Sequence, residues 1–128
     1  MNIGIIGLGI VGTANKRGFE KLGHCVLEHD TKYQTTINNI LDSEIVFLCL
    51  PTPSTEDGEC DTSIIEDTIQ ELDSLNYQGI VAIRSTTVPG FTQQMISRYS
   101  SLTICFVPEF LRERCAIDDF INNHNLLA

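Results

Sequence analysis

The sequence predicts an α/β fold built on a doubly wound parallel sheet, and three observations predict it. Short apolar segments alternate with segments of helical periodicity along the 128 residues. The run IVFLCL at residues 45–50 is apolar throughout, which is typical of a strand that is covered on both faces. Turn-forming residues follow the apolar runs. The predicted strands occupy residues 2–6, 25–29, 45–50, 79–84 and 103–107.

The first strand leads into the motif G-x-G-x-x-G, and a helix is predicted directly after it, over residues 10–22. In such a turn Gly7 takes the sharp bend, and Gly9 has no Cβ, so that the backbone can approach a pyrophosphate. Gly12 allows the helix to pack closely against the strand. The motif alone is a weak signal, but its place between a strand and a helix favours a Rossmann-type dinucleotide-binding fold.

The second strand ends at Asp30, which lies 18 residues beyond Gly12. A carboxylate at this position can accept hydrogen bonds from the adenosine ribose hydroxyls and would repel a 2′-phosphate. The sequence therefore favours NAD over NADP. The neighbouring Lys32 is compatible with a phosphate and keeps NADP open, and Asp30 is also an ordinary residue for a turn.

Only 14 residues separate Asp30 from Ile45. Because a parallel crossover needs about a dozen residues or more, helix B and the third strand of a complete Rossmann-type sheet do not both fit. We expect them to be shortened or missing, with a short helix near residues 38–42 and a reduced adenine side of the crevice, while the effect on the affinity for the cofactor stays open. Further helices are predicted from about residue 61, where Ser63 and Glu66 fit a capping box, and over residues 91–99 and 109–121.

Unusual residues gather where the predicted strands end. In an open parallel sheet, ligands bind beyond the carboxyl ends of the strands, so this edge is the expected binding site. The alternative is that loops favour Gly, Pro, hydroxyl and acidic residues in any case. The segments concerned are residues 7–9, 30, 51–54, 85–87 and 108–109.

Composition excludes several classes of function. The net charge of −9, with only eight Lys and Arg, argues against nucleic acid as a partner. No apolar run is long enough to span a membrane, and no signal peptide is recognisable. Five cysteines without C-x-x-C or Cys–His spacing predict a reduced, cytoplasmic protein without a metal site. Cys49 and Cys105 are expected to be small buried hydrophobic residues. The three histidines, His24, His29 and His124, are interpreted as surface or capping residues.

Three further segments carry a resemblance to a known family: LPTPSTEDGECDTS, IRSTTVPGF and PEFLRE. With GIIGLGIVG they make the chain similar, over nearly all of its length, to the N-terminal NAD-binding domain of the UDP-glucose/GDP-mannose (nucleotide-sugar) 6-dehydrogenases. The resemblance implies a four-electron oxidation of a sugar C6 alcohol to a carboxylate, in two hydride transfers to two NAD⁺. It also implies a nucleotide-sugar substrate, in the first place a UDP-sugar, and a cysteine of the C-terminal domain that holds the aldehyde as a thiohemiacetal and then as a thioester.

The resemblance also implies roles for individual residues. Thr86 and Glu109 match a water-positioning hydroxyl and an acid–base carboxylate. The expected substrate-binding residues are Glu109, Phe110, Leu111, Arg112 and Glu113. The expected cofactor-binding residues are Gly7, Leu8, Gly9, Ile10, Val11, Gly12, Asp30, Leu50, Pro51, Thr52, Pro53, Ser54, Ser85 and Glu113.

Three of these residues also have a structural interpretation that needs no ligand. An acid such as Glu109 is favoured at a helix N-terminus by the helix dipole alone. Thr86 fits a strand as a β-branched residue. Arg112 is also suited to a surface ion pair.

The chain departs from the family pattern at its C-terminal end. It stops inside the strand expected after PEFLRE, so residues 1–128 are expected to be an incomplete NAD-binding domain without the central helix and the C-terminal UDP-binding domain. Arg114 replaces a small residue, and Cys115 is favoured as a buried thiol over a substitute nucleophile because no His or Lys lies nearby. Full-length relatives are expected to be homodimeric. A non-catalytic dinucleotide or nucleotide-sugar binding module, or a remnant that binds neither, remains an alternative.

Overall fold

The fold comes from a computed structural model that describes residues 1–30, 35–52, 56, 61–85, 87 and 90–107. Strands and helices alternate through this part of the chain. In chain order they are β1 (Asn2–Ile6), α1 (Ile10–Lys21), β2 (Cys25–His29), a 3-10 helix (Ile37–Ile40), β3 (Ile45–Leu48), α2 (Ser63–Ser74), β4 (Ile80–Ile83), α3 (Phe91–Arg98) and β5 (Thr103–Phe106).

The five strands form one parallel sheet in the order β2-β1-β3-β4-β5. Ile3 of β1 lies opposite Val26 of β2 on one side and Ile45 of β3 on the other. The chain runs outward from β1 to β2 and then returns to β3, so the strand order reverses between β1 and β3. This reversal is the point at which doubly wound sheets bind ligands, at the carboxyl ends of the strands. The predicted α/β, Rossmann-type sheet is confirmed.

The core lies on both faces of the sheet, as the apolar run in β3 predicts. Phe47 packs on one face with Ile3 and Ala82. Its neighbours Val46 and Leu48 are fully buried and belong to the cluster on the other face. The helical residues of that second cluster repeat at the spacing of one helix face in α2 and continue into α3: Ile65, Ile69, Leu72, Phe91 and Met95.

The connection between β2 and β3 is short. Its described residues form the 3-10 helix and no strand, and β2 is an edge strand of the described sheet. Ile37 and Ile40 of the 3-10 helix are buried against the core. This arrangement agrees with the expected loss of helix B and of the third strand.

Several predicted boundaries differ from the structure by one or two residues, and the ends of β3 and α1 are two of them. β3 ends at Leu48 rather than at Leu50, because the Leu50 amide leaves the strand ladder and donates to the Ser85 hydroxyl at 2.8 Å. α1 ends at Lys21, one residue before its predicted end, and Leu22 is 58% exposed.

The start of α2 also differs from the prediction. Ser63 is the first helical residue rather than the cap, and its amide donates to Asp61 Oδ1 at 2.9 Å. The Glu66 carboxylate accepts from the Thr62 hydroxyl at 3.4 Å instead of reaching a backbone amide. The capping interactions therefore come from the two residues before Ser63. The helices predicted over residues 109–121 lie outside the described residues.

The longest described helices, α1 and α2, have twelve residues each. In the described ranges, no helix combines the length and the apolar character needed to cross a lipid bilayer.

Candidate functional site

The turn between β1 and α1 depends on two glycines for its packing. Gly7 has φ +97°, in the left-handed region that glycine adopts without strain, and a Cβ there would collide with the Cys49 carbonyl group. A Cβ at Gly12 would overlap the Gly7 carbonyl oxygen. These two residues therefore allow the turn to fit against the end of β3 and under the first turn of α1.

Gly9 is different, because among the described residues, its chain neighbours apart, no atom lies within 4 Å of the position that its Cβ would occupy. Its φ of −75° and ψ of −154° are open to any residue. The missing side chain therefore leaves free space beside the N-terminus of α1 and is not required by the turn itself. The first-turn amides of a helix have no intrahelical acceptor and carry partial positive charge, so this space suits an anionic group such as a diphosphate.

Asp30 lies beside this turn at the end of β2. Its Oδ2 accepts a hydrogen bond of 2.6 Å from the Leu8 amide. The turn is further closed by Thr13, whose hydroxyl donates to the Leu8 carbonyl oxygen at 3.1 Å. The carboxylate is therefore held against the glycine turn.

A second group of hydrogen bonds fixes the backbone of Asp30. The Asp30 amide donates to Thr35 Oγ1 at 3.1 Å, and that hydroxyl lies 3.2 Å from the Asp30 carbonyl oxygen. Nδ1 of His29 pairs with the same hydroxyl at 3.0 Å. His29 is half-buried in this network, so its interpretation as a surface or capping residue was too simple. Thr35 was missed because nothing in its local sequence marks it.

Ser85 joins the ends of β3 and β4. Its hydroxyl accepts from the Leu50 amide at 2.8 Å and lies 3.1 Å from the Leu48 carbonyl oxygen, to which it donates. Only 7% of Ser85 is exposed. The Ser85 side chain therefore positions Leu50 and the adjoining Pro51. Contact of Ser85 itself with a cofactor stays a prediction.

A cavity of about 470 Å³ opens at the reversal point of the sheet, between the glycine turn, β2, β3 and α2. Its volume lies within the usual range for small-molecule sites. Gly12 is buried beneath the turn, and Thr52 is half-buried beyond the cavity wall. Six of the residues expected to bind cofactor line the cavity: Gly7, Gly9, Val11, Asp30, Leu50 and Pro51.

The cavity is also lined by residues that were not predicted from the sequence. Ile37 of the 3-10 helix lines it, and so do Ile64, Thr68 and Glu71 of α2. The three α2 residues have the i, i+4, i+7 spacing of one helix face, next to the face that packs on the sheet. A usable signal was present, since Ile64 is an apolar residue outside the core stripe of α2 and is 40% exposed.

Cys49 contributes an apolar wall rather than a reactive thiol. Burial raises its pKa to about 12, against the opposing effect of the Arg84 guanidinium. Burial also lowers the pKa of Arg84, whose guanidinium lies 5.0 Å from the centroid of the Phe47 ring. Among the described residues, no group of three His, Cys, Asp or Glu side chains is arranged to hold a metal ion.

Several predicted site residues lie outside the described residues, and their roles stay predictions. They are Pro53, Ser54, Thr86, Glu109, Phe110, Leu111, Arg112 and Glu113, together with Cys115.

Comparison with known proteins identifies the family. The family model described as "UDP-glucose/GDP-mannose dehydrogenase family, NAD binding domain" matches residues 28–127. UDP-glucose 6-dehydrogenase AglM of Haloferax volcanii is 31% identical over an alignment of 172 residues that covers 95% of this chain and 39% of the relative. UDP-glucose 6-dehydrogenase of Rickettsia felis is 33% identical over 96 residues, which cover 70% of this chain and 21% of the relative.

Solved structures agree with this family assignment. GDP-mannose dehydrogenase of Pseudomonas aeruginosa, crystallised as a ternary complex, superposes with a TM-score of 0.77 at 25% identity, over 94% of this chain and 38% of that one. UDP-glucose dehydrogenase of Pyrobaculum islandicum shares the fold with a TM-score of 0.80 at 21% identity, over 93% of this chain and 38% of that one.

The chain spans less than two fifths of the length of each of these four proteins. The alignment with AglM is longer than the 128 residues of the chain, so the matched region of that relative contains residues with no counterpart here. The resemblance found in the sequence is confirmed. The chain belongs to the UDP-glucose/GDP-mannose dehydrogenase family, in which it corresponds to the NAD-binding domain with NAD as its cofactor.

Proposed function

We propose that this chain is the cofactor-binding half of a nucleotide-sugar 6-dehydrogenase, which oxidises the C6 alcohol of a sugar to the carboxylate, in the first place that of a UDP-sugar. One observation carries the proposal. The open side of the glycine turn at Gly9 and the carboxylate of Asp30 line the same cavity at the reversal point of the sheet. The family supplies the reaction class, and the relatives named above supply the sugar nucleotides.

The residues present fit NAD. The diphosphate would lie at the first-turn amides of α1, in the space that Gly9 leaves open. Asp30 would accept the adenosine ribose hydroxyls. An ionised carboxylate has about four lone-pair sites, and one of them accepts the hydrogen bond from the Leu8 amide.

The bound cofactor supplies one function, the acceptance of a hydride from C6 of the sugar. The other steps need protein groups, which the resemblance assigns. The hydroxyl of Thr86 would position a water molecule, and the Glu109 carboxylate would move its proton. The segment from Glu109 to Glu113 would hold the nucleotide sugar. The nucleophilic cysteine is assigned to the C-terminal domain of the relatives.

Calorimetric titration of the 128-residue chain with NAD⁺ tests the binding proposal. We expect saturable binding that Asp30→Ala weakens about tenfold or more, because the ribose hydroxyls lose a charged acceptor. Asp30→Asn keeps an acceptor for the Leu8 amide and separates the loss of charge from loosening of the turn. Asp42→Ala, an exposed acid beyond the 3-10 helix, is the matched control. No binding of NAD⁺ at millimolar concentration by the folded chain would refute the proposal.

Turnover is tested separately by the absorbance of NADH after UDP-glucose or GDP-mannose is added with NAD⁺. Because the nucleophilic cysteine is assigned to the C-terminal domain, we expect the 128 residues to bind NAD⁺ without steady NADH formation. Steady formation of NADH by these residues alone would contradict that division of labour.

A further inference from the structure

His29 is the last residue of β2 and lies directly beside the glycine turn. Its carbonyl oxygen accepts a hydrogen bond of 2.9 Å from the Gly7 amide, and it pairs with Ile6 of β1 in the register of the sheet. His29 also lines the cavity, as Gly9 and Asp30 do. The backbone therefore holds an imidazole ring next to the turn at which we propose that the diphosphate binds.

The contacts of Thr35 indicate which nitrogen of this ring carries a proton. Thr35 Oγ1 accepts from the Asp30 amide at 3.1 Å, lies 3.2 Å from the Asp30 carbonyl oxygen and is 3.0 Å from Nδ1 of His29. A hydroxyl has only one proton to donate. When that proton goes to the carbonyl oxygen, the contact with the ring is a hydrogen bond only if Nδ1 donates. We assign a proton to Nδ1, since all three contacts are then hydrogen bonds.

Nε2 is the ring nitrogen that remains for a ligand. Within the described part of the chain it has no hydrogen-bond partner, and it is not a buried atom. In the neutral ring Nε2 only accepts, whereas a proton taken up from the solvent makes it a donor and gives the ring a positive charge. Because Nδ1 keeps its proton in both forms, His29 can change its charge without losing its hydrogen bond to Thr35.

The ionisable groups around His29 are mostly acidic. Three line the same cavity, and Cys49 among them keeps its proton because burial raises its pKa to about 12. They are Asp30, Cys49 and Glu71.

The elements packed against β2 add no free cation on this side of the strand. The residues of β1 and of the 3-10 helix have no ionisable side chain. On α1, Lys16 pairs at 2.8 Å with Glu28, whose side chain points to the other face of β2 because neighbours in a strand alternate. The other charged residues of α1 are exposed: Arg17, Glu20 and Lys21. Among the described residues that line the cavity, His29 is therefore the one that can become a cation.

We propose that binding of the dinucleotide is coupled to protonation of His29, whose imidazolium donates from Nε2 to the diphosphate. The inference rests on the proposed binding of NAD and adds control of that site by pH. A histidine gains or loses its charge between about pH 5 and 8. By linkage, a ligand that prefers the protonated ring takes up a proton on binding, and it binds more tightly as the pH falls.

Calorimetry of the 128-residue chain with NAD⁺ tests the coupling, because titrations in two buffers of different ionisation enthalpy measure the protons taken up. At pH 7 we expect uptake of a fraction of a proton per NAD⁺. Binding should be about fivefold tighter at pH 6 than at pH 8, since only the protonated ring forms the charge-assisted hydrogen bond.

Two variants assign the proton. His29→Asn should abolish both the uptake and the pH dependence, because its amide nitrogen can still donate to Thr35 but the side chain cannot become charged. At pH 8 this variant should bind NAD⁺ as the parent chain does. His24→Asn, just before the other end of β2, is the matched control and should keep both effects.

The outcomes separate this inference from the proposed function. Binding of NAD⁺ without proton uptake would overturn the inference and leave the proposed function intact, and so would uptake that persists in His29→Asn. A folded parent chain that does not bind NAD⁺ at either pH would refute the proposed function itself. If His29→Asn does not fold, NMR of the parent chain replaces it. The ring titration of His29 should move to higher pH in the presence of NAD⁺, and an unchanged titration would overturn the inference.

Discussion

At the scale of single residues, the three glycines of the turn differ in their surroundings. Gly7 and Gly12 face backbone carbonyl groups, so side chains there would collide with atoms that cannot move aside. The Cβ position of Gly9 is open among the described residues, and its extended backbone conformation is one that alanine also adopts. The sequence presents the motif as one unit, but the structure shows that two of its glycines are needed for packing and that the third leaves a space, which we propose the diphosphate occupies.

This division predicts opposite outcomes for two alanine substitutions. Gly9→Ala should keep the stability of the parent chain and lower its affinity for NAD⁺ about tenfold or more, because the new methyl group occupies the space next to the diphosphate. Gly12→Ala should cost about 3 kcal/mol or more of unfolding free energy, since its overlap is with backbone. Urea unfolding measures the stability and calorimetry the affinity. A Gly9→Ala chain that unfolds as easily as Gly12→Ala would show that Gly9 is also structural.

The Cys49 thiol leads to a second prediction at this scale. Its pKa of about 12 in the fold lies above the ordinary value of 9.0, because burial disfavours the thiolate. Above pH 9 the unfolded chain therefore releases this proton before the folded chain does, and the contribution of Cys49 to stability falls as the pH rises from about 9 to 12. Stability measured by urea unfolding should decline over that range, and the decline should be smaller in Cys49→Ala.

Alkylation gives an independent measurement of the same property. At pH 8, iodoacetamide followed by peptide mapping should label the exposed Cys25 well before Cys49. Equal labelling of these two cysteines in the folded chain would mean that Cys49 is not desolvated.

At the residue scale, the cavity residues that could be predicted are those with a recognisable signature in the local sequence. Gly7, Gly9 and Asp30 are recognisable because a short motif and a fixed spacing place them at strand ends. Thr35, Thr68 and Glu71 carry no such mark, since the pairing of Thr35 with Asp30 and the position of Thr68 and Glu71 at the cavity depend on how the 3-10 helix and α2 pack on the sheet. Tertiary packing of this kind is not encoded in a window of neighbouring residues.

At the scale of elements, the ends of β3 and β4 are joined by one side chain. Ser85 supplies the acceptor for the Leu50 amide and is itself buried. Ser85→Ala should leave that amide without its partner and cost about 1–3 kcal/mol of unfolding free energy. Ser74→Ala is the matched control, because the Ser74 hydroxyl bonds a carbonyl oxygen at the exposed end of α2. Similar losses in the two variants by urea unfolding would contradict the special role of Ser85.

The elements themselves were predictable because each has a periodic apolar pattern, and their ends were less so. The apolar run of β3 continues in the sequence to Leu50. The chain nevertheless leaves the hydrogen-bonded ladder of the sheet after Leu48, because the Leu50 amide donates to the Ser85 hydroxyl. At α2, the Asp61 carboxylate, and not the predicted Ser63 hydroxyl, accepts a backbone amide of the first turn, that of Ser63 itself. Local pattern therefore sets the type of an element, while side chains from elsewhere or from the preceding residues set its ends.

At the scale of the whole molecule, the net charge of −9 opposes any anionic ligand. Binding of a dinucleotide must then depend on local groups, which we propose are the first-turn amides of α1 and the Asp30 carboxylate, against the repulsive field of the whole chain. Added salt screens that field, so NAD⁺ affinity should stay level or rise with ionic strength. A nucleic-acid-binding protein shows the opposite trend.

The same field predicts how the chain distinguishes NAD⁺ from NADP⁺. A 2′-phosphate adds negative charge next to Asp30, in a cavity that also contains Glu71. At low ionic strength NADP⁺ should therefore bind at least about tenfold more weakly than NAD⁺. Because the Debye length shortens from about 30 Å at 0.01 M to about 10 Å at 0.1 M, the difference should narrow in salt without reversing. Calorimetry with both dinucleotides at these two ionic strengths measures the ratio of their affinities. Equally tight binding of NADP⁺ and NAD⁺ at low salt would contradict this prediction. It would mean that a cation offsets the carboxylates of Asp30 and Glu71. If that cation is Lys32, Lys32→Ala should restore the preference for NAD⁺.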